Sequence, residues 1–116
     1  MNLPPKIQNQ LTQFEQVRQQ LQLLTTQRIQ VESQIREMVN TLEELDKTKK
    51  DSILYKRVGA LFIKVDDKKD LKGSLTEKKE TFDIRMKTLE RQEKQLKEKY
   101  SELQMEISKA VQNVEQ

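Results

Sequence analysis

Apolar residues recur along most of this chain at alternating spacings of three and four. One stripe runs Leu3, Ile7, Phe14, Val17, Leu21, Leu24, Val31, Ile35, Met38, Leu42, Leu45. A second runs Leu75, Phe82, Met86, Leu89, Leu96, Tyr100, Leu103, Ile107, Ala110, Val114. This repeat is the a/d seam of a coiled coil. Between the stripes, Ile53 to Val65 has no helical period and is enriched in β-branched and aromatic residues around Gly59. The pattern predicts a helix over about 5–48, strands over about 53–58 and 61–65, and a helix over about 67–113. A tight turn is expected around Val58 to Ala60.

Local signals place the ends. Pro4 or Pro5 suits the first helical turn, where the missing N–H would be unpaired anyway. The first helix then contains no Gly or Pro and would be roughly 65 Å long. Its Gln-rich first two-thirds carries the apolar stripe through it, which argues for helix and not low-complexity disorder. Lys47 to Ser52 breaks the stripe and reads as a connection. Asp66 or Asp67 is a natural N-cap for the second helix. Ser74-Leu75-Thr76-Glu77 has capping-box form and offers a later start. The early start makes the arms equal, at the cost of placing Gly73 inside the helix, where it is worse than Ala by ~1 kcal/mol. Asp83–Lys87, Glu90–Lys94 and Glu93–Lys97 have the acid-before-base spacing that supports an exposed helical face.

The two stripes fit one antiparallel register. Ile7 falls opposite Ala110, Phe14 opposite Leu103, Leu21 opposite Leu96, Ile35 opposite Phe82 and Leu42 opposite Leu75. Val17 meets Tyr100 and Val31 meets Met86 in the alternate layers. Heptads define such a pairing only to within seven residues, and this choice folds the chain between Val58 and Gly59, at the turn signal. A parallel pairing would need a ~65 Å return segment, and the chain has none. The same register sets Gln10 against Ile107, Leu24 against Glu93, Arg28 against Leu89 and Met38 against Lys79, with Glu93 within reach of Arg28 one turn away. These polar seam residues read as register-setting or as tolerated on a thin seam.

The hairpin needs a partner. An isolated two-stranded hairpin is marginal in water, and its outer edges invite further strands. Ile53, Leu54, Tyr55, Val58, Leu61, Phe62, Ile63 and Val65, with Gly59 at the turn, spread apolar groups over both faces. Two helices leave no wide surface to receive them, although a hairpin folded back on its own helices is the alternative. The expected fold is therefore mainly α with a short β-hairpin: a long antiparallel two-helix coiled coil joined by one β-hairpin that assembles into an oligomeric β-barrel.

Composition narrows the function. The chain has 116 residues, 22 basic and 19 acidic, with no His and no Cys. A chain this polar has a seam to bury, not a broad core. A disulfide framework, a thiolate site and His or Cys metal ligation are excluded, and two glycines form no phosphate loop. Glu43-Glu44 and Asp66-Asp67 read as solvated helix ends and a cap. No enzyme, metal or cofactor is expected. The net charge of +3 marks a mixed-sign surface. Lys47, Lys49, Lys50, Lys56 and Arg57 make a modest basic rim without the interleaved aromatics that nucleic-acid binding wants. No apolar run approaches the ~20 residues of a membrane span, and Met1 to Lys6 lacks a signal-peptide core. The expectation is a cytoplasmic protein that engages neither nucleic acid nor membrane.

A coiled coil interrupted by one hairpin, the run Tyr55-Lys56-Arg57-Val58-Gly59-Ala60-Leu61-Phe62-Ile63-Lys64, and Leu89-Glu90-Arg91-Gln92-Glu93 in the second helix resemble the β-class subunit of archaeal prefoldin. Pro4-Pro5 and Gln19 to Leu23 fit as well. The resemblance covers essentially the whole chain, and one hairpin favours the β class over the α class. It implies an ATP-independent chaperone, a holdase, built as a hetero-hexamer of two α-class and four β-class subunits on a hairpin platform. The coiled-coil tips would hold unfolded client proteins and pass them to a group II chaperonin. In this sequence the tip holds Ile7, Leu11 and Phe14 beside Leu103, Ile107, Ala110, Val111 and Val114, a stripe too wide for two helices to bury. The bland alternative is a seam that merely ends there. The alternative function is a structural coiled-coil tether or adaptor that oligomerises through its hairpin and binds a folded partner; a low-charge tip with few anchors favours the chaperone.

Overall fold

The element order is α1 (Pro5–Lys47), β1 (Tyr55–Val58), β2 (Leu61–Lys64) and α2 (Lys68–Glu115). The computed structural model describes residues 3–115. Met1 and Asn2, part of the N-terminal stretch read above for a signal peptide, lie outside it, as does Gln116. Two units can be distinguished: α1 as far as Gln30 with α2 from Lys87, and Val31–Met86 with the hairpin. They are called here the terminal unit and the hairpin unit.

In the hairpin unit the chain leaves α1 at Thr48, whose backbone N–H and side-chain hydroxyl both donate to the Leu45 carbonyl (3.2 and 2.6 Å). A turn follows, closed by Ser52 N–H to Lys49 O and by Lys49 N–H to Ser52 Oγ, each 3.1 Å. The strands pair antiparallel, Tyr55 with Lys64, Lys56 with Ile63, Arg57 with Phe62 and Val58 with Leu61. Val65 N–H donates to Leu54 O (2.8 Å) and carries the ladder one step past the strands. Gly59 and Ala60 form a two-residue turn, centred one residue beyond the expected fold point. Gly59 takes φ 59° and is the only positive-φ residue described. A positive φ at the first turn position alone is type II′ geometry, whose twist matches that of the strands. No side chain protrudes near Gly59, but a Cβ there would strain the backbone.

α2 begins at its early site. Asp67 caps it, Oδ1 accepting from the N–H groups of Lys69 (2.9 Å) and Asp70 (3.4 Å). Gly73 consequently lies within the helix, and a Cβ there would meet open space. Two cross-helix contacts pin this end: Lys68 Nζ donates to Thr48 O (3.1 Å) and Lys72 Nζ pairs with Asp46 (2.8 Å). Val31 and Leu45 are buried here. Asp83 takes Lys79 as its ion-pair partner at 2.9 Å, a base one turn before it rather than the expected Lys87 one turn after.

In the terminal unit, Pro5 opens α1 and the Pro4 carbonyl accepts from Ile7 and Gln8 (3.0 and 3.1 Å). Ile7, Val17, Leu89 and Leu103 form the buried seam. The Phe14 and Tyr100 rings lie 4.5 Å apart, tilted by 32°. That contact and the Arg28–Glu93 pair described below have residue numbers that bracket the total shared by the expected facing pairs, so the helices are antiparallel in the expected register.

Candidate functional site

Two surfaces stand out once the fold is built, one in each unit. On the hairpin, alternation along the strands sorts the side chains. Val58, Leu61 and Ile63 share one face with Lys56, continued by Leu54 and Val65. Tyr55, Arg57, Phe62 and Lys64 share the other, with Ile53 beyond them. All eight strand residues are exposed. Phe62 is 71% exposed, Ile53 67% and Leu61 66%, while Leu54 and Val65 are half-buried. Gly59 supplies only the turn, and Arg57 Nε donates to its carbonyl (3.0 Å). One face is thus nearly all apolar, and the other alternates aromatic with basic groups.

The terminal unit treats its expected client-contact residues unequally. Ile7 at 3% exposure and Leu103 at 7% are packed between the helices. Phe14, Ile107, Ala110 and Val111 are half-buried. Leu11 and Val114 are exposed, at 39% and 42%. The groups most open to solvent are therefore Leu11, beside the seam, and Val114, the last seam member, with Val111 half-buried between the two extremes. Met105 is exposed on the outer surface of α2, and its sequence position, off the seam, gave no reason to single it out.

The polar seam positions of this unit separate into two kinds. Gln10 Oε1 is buried without a hydrogen-bond partner. Glu93, by contrast, is buried and paired through both oxygens. Arg28 Nε donates to its Oε2 at 2.7 Å and Lys97 Nζ approaches its Oε1 at 2.9 Å. The Arg28 hydrogen bond, helped by Lys97 and opposed by burial, holds this carboxyl below its ordinary value. Glu93–Lys97 was expected on an exposed face; it forms instead at the seam's edge, because Glu93 occupies a heptad core position.

Neither surface is built for covalent chemistry. Among the described residues no group of three or more His, Cys, Asp or Glu side chains is placed to hold a metal ion. The concavities are open, among them a groove along the helices lined by Arg18, Leu21, Gln22, Thr25, Thr26 and Tyr100 and a hollow between β2 and the start of α2 lined by Ile63, Val65 and Leu71. No described helix is long and apolar enough to cross a membrane.

An exposed apolar hairpin joining the helices of an antiparallel coiled coil is a specific combination, and comparison with known proteins gives it a family. The model of the prefoldin subunit family matches residues 8–114. The chain belongs to the prefoldin family. Its relatives include the prefoldin subunit beta of Archaeoglobus fulgidus, 47% identical over 90% of each chain. That of Thermococcus onnurineus is 43% identical over 95% of this chain and 94% of the relative. The crystal structure of the prefoldin beta subunit from Thermococcus strain KS-1 superposes with a TM-score of 0.84 at 40% identity, covering 94% of this chain and 95% of that one. The resemblance read from the hairpin and helix motifs is therefore correct, β class included. Prefoldin subunits are chaperone components without enzymatic activity, and this chain is one of them, assembling with other prefoldin subunits.

Proposed function

We propose that this prefoldin subunit works in an ATP-independent holdase that gathers unfolded proteins at the terminal helix pairs and passes them to a group II chaperonin. In this reading the hairpin joins α-class subunits and further copies of the chain, two α to four β, in a closed β-barrel in the cytoplasm. The observation that carries the assembly half is the hairpin itself: large apolar side chains held exposed on a two-stranded sheet with open edges. A monomer has no use for such a surface, and closure with other hairpins removes both liabilities. The client half is supported by Leu11 and Val114, apolar groups that remain open to solvent at the terminal end, and by half-buried Val111 beside the seam. Weak, non-directional burial of apolar surface suits clients that share no sequence. The tether reading is less favoured, because these groups offer no charged or aromatic anchor to a folded partner.

The test is a substitution set that spares the packed seam. Leu11→Ser, Val111→Ser and Val114→Ser together, in subunits co-assembled with an α-class partner, are expected to leave the assembly mass unchanged. They should abolish suppression of aggregation of a denatured enzyme, read by light scattering. Undiminished suppression by a correctly assembled variant would remove this surface from the client site.

A further inference from the structure

The apolar stripes alone permit more than one alignment of the helices. Sliding α1 against α2 by one heptad, so that Gln10 comes level with Tyr100, again sets apolar against apolar: Ile7 meets Leu103 and Phe14 meets Leu96. The charge pair does not survive that slide. Arg28 would move ~10 Å along the axis from Glu93. The buried carboxylate would keep only Lys97, 2.9 Å from Oε1. Arg18, the next arginine along α1, lies off the seam and already donates to Glu15 at 2.9 Å. The opposite slide is disfavoured by direction. Helical side chains lean toward their own N-terminus. In the observed antiparallel alignment Arg28 and Glu93 therefore lean toward one another, and Nε meets Oε2 at 2.7 Å. One heptad the other way they have passed each other and lean apart.

We infer that the Arg28–Glu93 pair is the register lock of this coiled coil, selecting one heptad alignment among those that the stripes allow. A buried ion pair adds little stability over well-packed apolar residues, but fixing register is the best attested use of one. The inference stands apart from the client-holding reading, since it concerns only which side chains come level.

The chain has no cysteine, so paired cysteines report alignment without background. Gln10→Cys with Ile107→Cys reports the observed register, and Gln10→Cys with Tyr100→Cys reports the slid one. In the full-length chain under mild oxidation, only the first pair should close an intramolecular disulfide. In an Arg28→Leu/Glu93→Leu background both pairs should close, while helicity and the melting midpoint hold or rise. Exclusive closure of the first pair in that background overturns the lock. So does a double variant that fails to fold, because the pair would then be a source of stability and not of register. Moving the arginine one heptad, with Leu21→Arg and Arg28→Leu, should shift closure to the Tyr100→Cys reporter. Closure that stays with Ile107→Cys overturns the inference.

Discussion

In the terminal unit Ile7, Val17, Leu89 and Leu103 are buried between two helices, whereas every side chain on the two strands of the hairpin unit is exposed. Both regions are rich in aliphatic residues, so the difference lies in geometry. A heptad stripe meets its complement on the other helix of the same chain, and one molecule suffices. A two-stranded sheet has two faces and two edges, and here its own chain leaves the strand residues of both faces exposed. Apolar residues of one kind thus specify an intramolecular seam in one unit and an uncovered apolar surface in the other.

The largest test of that contrast falls on the hairpin. Leu61→Lys with Ile63→Lys places two charges on its apolar face. If that face is buried in the assembly as proposed, each change forfeits ~1.5–3 kcal/mol of burial, and association should weaken by about two orders of magnitude or more. Sedimentation should show dissociated subunits whose helicity is intact. An assembly of unchanged mass would mean that this face is not what holds the subunits together.

A smaller effect is expected in the seam. Arg28→Leu strips a buried carboxylate of its main partner, a loss of ~3–5 kcal/mol in a deep interior. Here water lies close to a two-helix seam and Lys97 remains, so about 2 kcal/mol is expected in thermal or denaturant unfolding. Acid titration sharpens this point. The folded-state value of Glu93 lies below its ordinary 4.5. The pair's contribution is therefore complete above that value and lost as pH falls through the folded value. The native chain should lose more stability on acidification over that range than the Arg28→Leu/Glu93→Leu variant. Equal losses would assign the acid sensitivity to other carboxylates.

The smallest effect is Gly73→Ala. A methyl at this helical position meets nothing within 4 Å. The substitution should stabilise α2 by ~0.5–1 kcal/mol without altering assembly. Destabilisation would show that Gly73 is kept for a contact in the assembled complex.

Much of this was legible in the residues, for reasons that differ from place to place. The heptads narrowed the register to steps of seven, the turn signal chose among them, and that choice brought Arg28 within reach of Glu93. Asp66-Asp67 announced a cap, because a carboxylate before a helical stretch satisfies N–H groups that nothing else does, and in the structure that cap is Asp67. The unequal exposure of Ile7 and Leu11 follows the heptad, since Ile7 is a seam member and Leu11 lies beside it. The unequal exposure of Leu103 and Val114 was not legible, because both are seam positions and only the actual packing decides how deeply each is covered. The choice of Lys79 over Lys87 by Asp83 was equally hidden, since an acid has basic neighbours one turn away on both sides and spacing favours neither strongly. The identity of the chains that meet the hairpin lies in no local pattern, because those residues belong to other molecules.

The two-residue turn at Gly59 and Ala60 has a consequence in time. With no slack in the loop the strands pair in one register, and the single chain already holds them so, with edges and apolar face exposed. Under the proposed assembly, joining is then a collision between finished surfaces, with a rate that rises with subunit concentration. The lone subunit is most vulnerable to wrong pairing when its partners are scarce, and balanced synthesis of the two subunit classes becomes the safeguard that the hairpin lacks.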